Sequence, residues 1–277
     1  MHSSSKRTAA SRSAYCVFDA GCMLDAMLEH TFIHARGVGR KTERRLWNSG
    51  ARSWDAFLDL HDSGTLGDSR FYRIAPQVHE SRRALRRRDI EFFSQRLPSG
   101  EMWRVYPDFA DQAAYVDIET TGLSSSFDRV TVIGLYDSHK FRVFVRGKNL
   151  DDFRKAAAKY PLLVSFNGAT FDLPFLRAAF RGFEPRAHLD LRYPLKRLRY
   201  TGGLKEIERL VGIKRPRHLR DIDGFEAVIL WEDYQRGNRG ALERLIEYMR
   251  QDVINLVPLA ALVAKEMPGR LGFPSHR

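Results

Sequence analysis

The chain of 277 residues has few cysteines and no long apolar segment. Its two cysteines, Cys16 and Cys22, are too few for a disulfide framework and suit a reducing compartment. No apolar run approaches the roughly 20 residues that a membrane-spanning helix needs. The opening MHSSSKRTAASRSAY is polar and basic, without the apolar stretch of a secretory signal. These features predict a cytoplasmic protein without membrane contact, and we expect residues 1–13 to be disordered.

Negative charge is also scarce relative to positive charge. Lysine and arginine number 46 against 34 aspartate and glutamate residues, which gives a net charge of +12. A surplus of this size favours a polyanionic partner, and nucleic acid is the usual one. Ribosome-associated proteins and other basic proteins share the property, so charge alone leaves the partner open. The sequence identifies no protein partner.

Apolar residues recur at helical spacing through the first third of the chain. The spacing extends from Ala14 to Leu60, with a break at Gly37–Gly39, and returns after a polar loop as far as Phe93. The second stretch contains five closely spaced arginines, Arg82, Arg83, Arg86, Arg87 and Arg88. They form either a solvated basic face or a stripe that tracks phosphates. We expect a small helical module over residues 14–100.

Strands and helices alternate over residues 106–267. Three apolar segments, AAYVDIET, RVTVIGLYD and FRVFVRG, are typical of strands, and the short turns between them suit an antiparallel meander. A helix, the strand PLLVSFNG and a second helix follow, and HLDLRYPL is a candidate fifth strand. Three helical stretches complete the chain. This order predicts an α/β domain with a mixed sheet flanked by helices.

Two acidic residues lie inside the first predicted strand. Asp117 and Glu119 are two residues apart, so their side chains share a face of the sheet. Two buried carboxylates repel each other unless a cation or a proton joins them. An outward-pointing pair at a sheet edge is the alternative, but the apolar AAYV before them favours burial.

Three further polar residues come at the end of a strand and on the last helix. Asp172 follows the fourth strand, where α/β sheets gather their sites, although an acid that stabilises a helix N-terminus is the alternative. Tyr248 and Asp252 are four residues apart on a helix and share a face. An arginine or a backbone amide paired with Asp252 is the alternative there.

The joint pattern suits a divalent metal. Sites rich in carboxylate oxygens bind Mg²⁺ or Mn²⁺, and two such ions about 3.5–4 Å apart can hold the attacking and leaving oxygens of phosphodiester hydrolysis. A tyrosine hydroxyl nearby can orient the water without ionising. We therefore predict a hydrolytic site with two metal ions, formed by Asp117, Glu119, Asp172, Tyr248 and Asp252.

Three motifs resemble those of the DEDD exonuclease superfamily, which includes the proofreading domains of DNA polymerases. They are DIETTGL from Asp117, NGATFD ending at Asp172, and YMRQD from Tyr248. The third motif matches the tyrosine branch (DEDDy), because the histidine of the other branch would fall at Glu247. Residues 112–262 as a whole look like the YprB-type ribonuclease-H-like domain. The resemblance implies a ribonuclease-H-like fold with a five-stranded mixed sheet.

The same resemblance implies a metal-dependent 3′→5′ exonuclease acting on single-stranded 3′ ends. It assigns two Mg²⁺ or Mn²⁺ ions to the four carboxylates, Asp117, Glu119, Asp172 and Asp252, and assigns the positioning of water to Tyr248. It also implies that five residues line the terminal nucleotide or hold the loop beside it: Thr120, Gly122, Leu123, Asn167 and Phe171.

Residues 32–58 resemble a helix-hairpin-helix element, which is a common grip on duplex DNA. Gly37 and Gly39 would form the hairpin, whose amides face a phosphate, and Lys41 and Arg44 would add charge. An ordinary turn between helices is the alternative. A zinc site is another, with the ligands Cys16, Cys22, His30 and His34, although the five-residue gap between the cysteines departs from structural zinc spacing.

Two other functions compete with the exonuclease. A catalytically weak nucleic-acid-binding module could keep the fold, but the complete acidic set argues against it. A ribonuclease-H-type endonuclease could use the same fold, but the Tyr-x-x-x-Asp ending disfavours it. The hairpin element favours DNA over RNA, although the motifs themselves serve both because discrimination depends on contacts to the 2′-OH.

Overall fold

A computed structural model describes residues 26–66, 69–219 and 224–274. Cys16, Cys22 and the segment expected to be disordered lie outside the described residues. The described residues of the front third are largely helical, as the sequence predicts. Its elements are a 3-10 turn Leu28–His30, α1 Arg40–Asn48, α2 Trp54–Asp62, α3 Ser69–Tyr72, α4 Ala75–Arg86, α5 Ile90–Ser94, a 3-10 helix Ser99–Val105, α6 Tyr106–Phe109 and a 3-10 turn Ala110–Gln112.

The helix that the sequence predicts to continue through Phe93 is interrupted, most clearly between α4 and α5. Arg88 has a φ of 57°, in the left-handed region, and ends the helical run after α4. The Asp89 carboxylate then accepts a hydrogen bond from the amide of Phe92 at 3.1 Å and caps the start of α5. The prediction of one helix was wrong because a local backbone reversal at an arginine leaves no trace in apolar spacing.

The second part contains the five-stranded mixed sheet that the sequence predicts. The strand order is β3-β2-β1-β4-β5, with β1–β2 and β2–β3 antiparallel and β1–β4 and β4–β5 parallel. The strands are β1 Ala113–Thr120, β2 Val130–Tyr136, β3 Phe141–Val145, β4 Leu162–Ser165 and β5 Ala187–Asp190. The fifth strand ends at Asp190, and the RYPL segment after it lies in a helix instead of the strand.

Helices cover both faces of this sheet. They are α7 Asp152–Ala157, α8 Asp172–Ala179, α9 Arg192–Arg197, α10 Leu204–Leu210, a 3-10 turn Arg217–Leu219, α11 Gly224–Gln235 and α12 Arg239–Leu271. Among the described residues, no helix combines the length and apolar character that a membrane crossing requires.

The alternation of side chains along β1 decides which face of the sheet holds the acidic pair. Ala114, Val116 and Ile118 pack in the core that contains α7 and α8. Tyr115 packs in the other core, together with α12 and the front helices. Since successive strand residues point to opposite faces, Asp117 and Glu119 project on the Tyr115 side, toward α12.

A buried ion network joins the front helices to the rest of the molecule. The Arg104 guanidinium donates to both carboxylate oxygens of Glu43 at 2.8 and 3.0 Å and to Glu101 Oε2 at 2.7 Å. Arg40 on α1 and Arg197 on α9 also donate to Glu101. Because Glu43, Glu101 and Arg104 are almost fully buried, each charge depends on its partners. The network fixes α1 relative to α9.

Candidate active site

Three of the predicted carboxylates form one cluster. Asp117 and Glu119 come from β1, and Asp252 comes from α12, which crosses that face of the sheet. One oxygen from each of the three carboxylates lies within 4.8 Å of the others. Asp252 is buried, and the β1 pair is half-buried. Period-two spacing on a strand and helical packing across it therefore bring together acids that are 133 to 135 residues apart in the sequence.

Asp172 lies next to this group at the first position of α8. Its side chain is only 2% exposed, and its Oδ1 atom accepts no hydrogen bond among the described residues. Gly168 packs beside it, since a Cβ there would lie 3.3 Å from Asp172 Oδ2 and 2.0 Å from the Ser165 hydroxyl. A buried carboxylate oxygen without a donor is costly, and a cation would satisfy it.

Repulsion within the cluster changes its titration. Burial, followed by the charges of Asp252 and Asp172, raises the pKa of both Asp117 and Glu119 well above their ordinary values. Burial raises the pKa of Asp172 to about 8. Burial also raises the pKa of Asp252 to about 6, although the charge of Arg215 acts in the opposite direction. A divalent cation fits this set of donors, because it would stabilise the ionised carboxylates that burial disfavours.

Tyr248 lies one helical turn before Asp252 and is buried. Burial and then the charges of Asp252, Glu119 and Asp117 raise the pKa of its phenol. The hydroxyl therefore stays protonated at neutral pH and remains a hydrogen-bond donor beside the carboxylates. Lys205 Nζ lies 4.8 Å from the centroid of its ring, and the Arg215 guanidinium carbon lies 5.5 Å from it.

The loop after β1 presents two large apolar side chains to solvent. Leu123 is 88% exposed and Phe127 is 87% exposed. The backbone that carries them is held by Asp128, which accepts hydrogen bonds from the Ser124 amide at 2.9 Å and the Thr121 hydroxyl at 3.1 Å. The loop is thus internally bonded, while its two largest side chains contact little of the protein.

Gly122 and Thr120 serve the same loop. A Cβ at Gly122 would lie 2.6 Å from the Asp128 carboxylate oxygens, so the loop itself requires glycine there. The Thr120 hydroxyl donates to the Gly122 carbonyl. Both residues hold the backbone of the segment that follows Glu119.

The second motif is organised by Asp190 at the end of β5. Its carboxylate accepts hydrogen bonds from the amides of Asn167 at 2.7 Å and Ala169 at 3.0 Å. Asn167 adopts a φ of 65°, and its side-chain oxygen accepts from the Thr170 hydroxyl at 2.8 Å and from Arg192. These bonds shape the turn that delivers Asp172 to the cluster.

Phe171 precedes Asp172 and is half-buried. Its ring centroid lies 5.0 Å from that of Phe175 on α8. This contact packs Phe171 against the first turn of α8.

Comparison with known proteins agrees with this architecture. A family model of the RNase H superfamily matches residues 114–264, which is more than half of the chain. The chain belongs to the RNase H superfamily. The matched range includes β1 through most of α12, and with it the four carboxylates and Tyr248. A search of curated proteins found no match.

Solved structures similar to this RNase H superfamily member include two of NrnC from Brucella melitensis. NrnC bound to pGG has 25% identity and a TM-score of 0.42, over 59% of this chain and 78% of that one. NrnC with bound Mg²⁺ has 24% identity and a TM-score of 0.42, over 58% and 77%. A family B DNA polymerase from Pyrobaculum calidifontis has 16% identity and a TM-score of 0.42, over 56% of this chain and 24% of that one.

The predicted hairpin residues lie in α1 and the turn before it, outside the carboxylate cluster of the RNase H domain. Gly37 has a φ of 85° and Gly39 is the N-cap of α1, on which Lys41 and Arg44 are exposed. Between residue 26 and Gly39, the only helical element is the 3-10 turn Leu28–His30. The element thus has its second helix, and the described residues contain no full first helix.

The histidines of the alternative zinc site have protein partners. His34 is buried, with Nε2 bonded to the Ser81 hydroxyl at 2.6 Å. His30 Nδ1 lies 2.6 Å from the carbonyl oxygen of Arg52. The two cysteines lie outside the described residues, so the proposed zinc ligands are not seen together.

Sequence reasoning missed several residues that the RNase H domain places near the acids. Arg215 pairs with Asp252, and Glu208 in turn binds Arg215. Lys205 lies over the Tyr248 ring, and Phe127 stands exposed on the loop that carries Leu123. The basic run KRPR at 214–217 was the available sign of Arg215, but only its packing against α12 identifies which arginine is involved.

Proposed function

We propose that this protein is a metal-dependent 3′→5′ exonuclease of the tyrosine branch, which hydrolyses phosphodiester bonds at the 3′ ends of nucleic acids. The observation that carries the proposal is the convergence of the half-buried Asp117 and Glu119 with the buried Asp252, with the unsatisfied oxygen of Asp172 beside them. An all-carboxylate set of this kind has no structural advantage without a cation, because like charges are buried together.

The four carboxylates would hold Mg²⁺ or Mn²⁺. When bound, a pair of such ions supplies Lewis-acid stabilisation of the charge that develops in phosphodiester hydrolysis. The chain contributes a rigid frame for them, since β1 and α12 pack directly on each other. Tyr248 contributes a protonated hydroxyl, which can orient a water by hydrogen bonding but is a poor base at neutral pH.

The residues around the cluster suit a single strand whose 3′ end enters between two loops. Thr120, Gly122 and Leu123 lie on one loop, and Asn167 and Phe171 lie on the other. Base stacking on apolar and aromatic side chains is tolerant of sequence, which suits a nuclease that removes successive nucleotides. We include Phe127 in this surface because it is as exposed as Leu123 on the same loop.

In this proposal, residues 14–100 form a nucleic-acid-binding module and residues 106–267 form the exonuclease domain. Duplex contact would use Gly37, Gly39, Lys41 and Arg44, of which the two cations are exposed. Such a grip favours DNA over RNA as the substrate. The composition, with its two cysteines, supports a cytoplasmic location.

We expect alanine at both Leu123 and Phe127 to weaken the binding of a single-stranded oligonucleotide about 5- to 100-fold, because stacking is worth roughly 1–3 kcal/mol per base. Fluorescence anisotropy on an Asp117→Asn background measures binding without degradation. Ile229→Ala, which changes an exposed apolar residue on α11, is the matched control. Unchanged affinity in the double variant would remove these side chains from the binding surface.

The proposed activity is tested with a 5′-labelled single strand in Mg²⁺ or Mn²⁺. An exonuclease acting from the 3′ end shortens the labelled strand progressively and leaves a circular strand intact. Cleavage of the circle would instead indicate an endonuclease. Salt-sensitive binding without metal-stimulated turnover would indicate a binding module. DNA and RNA strands of one sequence, compared in parallel, test the preference for DNA.

A further inference from the structure

We propose that Arg215 is a positioning residue that orients the Asp252 carboxylate, so that one oxygen is held by the protein and the other is directed to the metal position. This inference rests on the proposed function, because it concerns the same cluster. It adds a function for a residue outside the three acidic motifs.

A series of polar contacts runs from Asp252 through Arg215 and Glu208 to Asn255, which lies on the same helix as Asp252. Arg215 Nη2 pairs with Asp252 Oδ1. Arg215 also donates to both oxygens of Glu208, from Nε at 2.5 Å and from Nη2 at 2.7 Å. Glu208 Oε1 accepts a second hydrogen bond from Asn255 Nδ2 at 3.1 Å. Since Asp252 and Asn255 are three residues apart and share a face of α12, the contacts fasten the end of α10 and the segment after it to that face.

The geometry of the guanidinium explains why an arginine is needed. The Nη2 group has two hydrogens, and it contacts one oxygen from each of two carboxylates. A planar fork can hold Glu208 through two parallel bonds and still reach Asp252, whereas an ammonium group is a point charge on a flexible stem. Both Arg215 and Glu208 are almost fully buried, so these contacts are shielded from water.

If Arg215 acts by orienting Asp252, its removal has the opposite effect on metal affinity from the one expected if it acts only by its charge. If Arg215 contributed only positive charge, removing it would make the cluster more negative and would tighten the binding of a divalent cation. If Arg215 orients Asp252, its removal frees the carboxylate to rotate, and metal binding weakens. Partners of metal ligands typically contribute about 10- to 100-fold in metal affinity or activity.

The test compares Mn²⁺ affinity, measured by calorimetry without substrate, in two variants. Arg215→Lys keeps the charge but lacks the fork. The double variant Glu208→Met with Arg215→Met removes the buried pair at similar volume, a replacement that such pairs tolerate. Arg209→Lys, at an exposed position of α10, is the control. We expect affinity to fall about 10-fold or more in both test variants, with kcat falling in parallel.

Wild-type affinity in Arg215→Lys, or unchanged or tighter binding in the double variant, which loses one charge of each sign, would overturn the inference. If Arg215→Lys does not fold, as judged by circular dichroism and thermal unfolding, the double variant alone decides, because only the loss of orientation weakens its Mn²⁺ binding. A wild-type protein that binds no Mn²⁺ would overturn this inference and the proposed function together. A wild-type protein that binds Mn²⁺ but degrades no strand would overturn the proposed function alone.

Discussion

Replacing Asp117 with asparagine is expected to reduce kcat on a single-stranded 3′ end by about 10³-fold or more, which corresponds to about 4 kcal/mol of transition-state stabilisation. The substitution keeps the shape of the side chain but removes one of the three charges that converge within 4.8 Å. The measurement is the rate of shortening of a 5′-labelled strand at saturating Mg²⁺. Asp152→Asn, which changes an exposed acid at the start of α7, is the control.

The same variant is expected to be more stable than the wild type when no metal is present. The pKa of Asp117 is higher in the folded than in the unfolded protein, so its contribution to stability is complete below the unfolded value and is lost as pH rises through the folded value. Asparagine cannot ionise, so the gain in Tm is larger at pH 8 than at pH 5. Equal turnover by the variant and the wild type would contradict a catalytic function for Asp117.

Replacing Tyr248 with phenylalanine is expected to lower kcat about 100-fold, which is the low end of the effects of positioned proton-transfer and water-orienting groups. The ring would keep its contacts with Lys205 and Arg215, and only the hydroxyl would be lost. The affinity for Mn²⁺ should change by less than about 3-fold, because neutral phenol is not among the hard oxygen ligands that these ions favour. Single-turnover kinetics, paired with calorimetry, separate the two quantities.

Tyr234→Phe on α11 is the matched control for that substitution. A loss of Mn²⁺ affinity of about 10-fold or more would mean that the hydroxyl supports the ligands and does not orient water. Unchanged kcat would remove Tyr248 from the reaction altogether.

Local periodicity accounts for most of what the sequence predicts correctly. The apolar strands around Asp117 and Glu119 and the long helix with Tyr248 and Asp252 are each recognisable from a few adjacent residues, because side chains repeat with period two or 3.6. The order of these strands and helices along the chain is then enough to predict a mixed sheet. The RYPL segment shows the limit of this reading, since Pro194 fits the first turn of α9 better than a strand interior.

Contacts that depend on packing between distant segments were not predictable in this way. From the sequence, Asp252 was expected either to bind a metal or to pair with an arginine. In the structure the two are compatible. Arg215 pairs with Oδ1 of Asp252, and Asp252 still lies in the cluster with Asp117 and Glu119. The choice of Arg215 among 46 basic residues depends on where Glu208 and Asn255 lie when α10 packs on α12.

The front helices show both a feature that the sequence predicts and a feature that it does not. Their helical character follows from apolar spacing, but the buried Glu43–Arg104–Glu101 contacts that join them to the sheet involve residues up to 61 positions apart. Charged residues in a sequence ordinarily indicate a solvated surface, so the burial of these three residues could not be predicted from their type. They therefore stabilise the position of the front helices relative to the rest of the chain.

The most direct test of a two-metal exonuclease site is a crystal structure of the protein soaked with Mn²⁺ and a short oligonucleotide that resists cleavage. We expect two anomalous peaks bounded by Asp117, Glu119, Asp172 and Asp252. The phosphodiester of the 3′-terminal nucleotide should lie beside these peaks, and the Tyr248 hydroxyl should face a water. Carboxylates without any anomalous peak, or a 3′ end bound away from them, would contradict the proposed function.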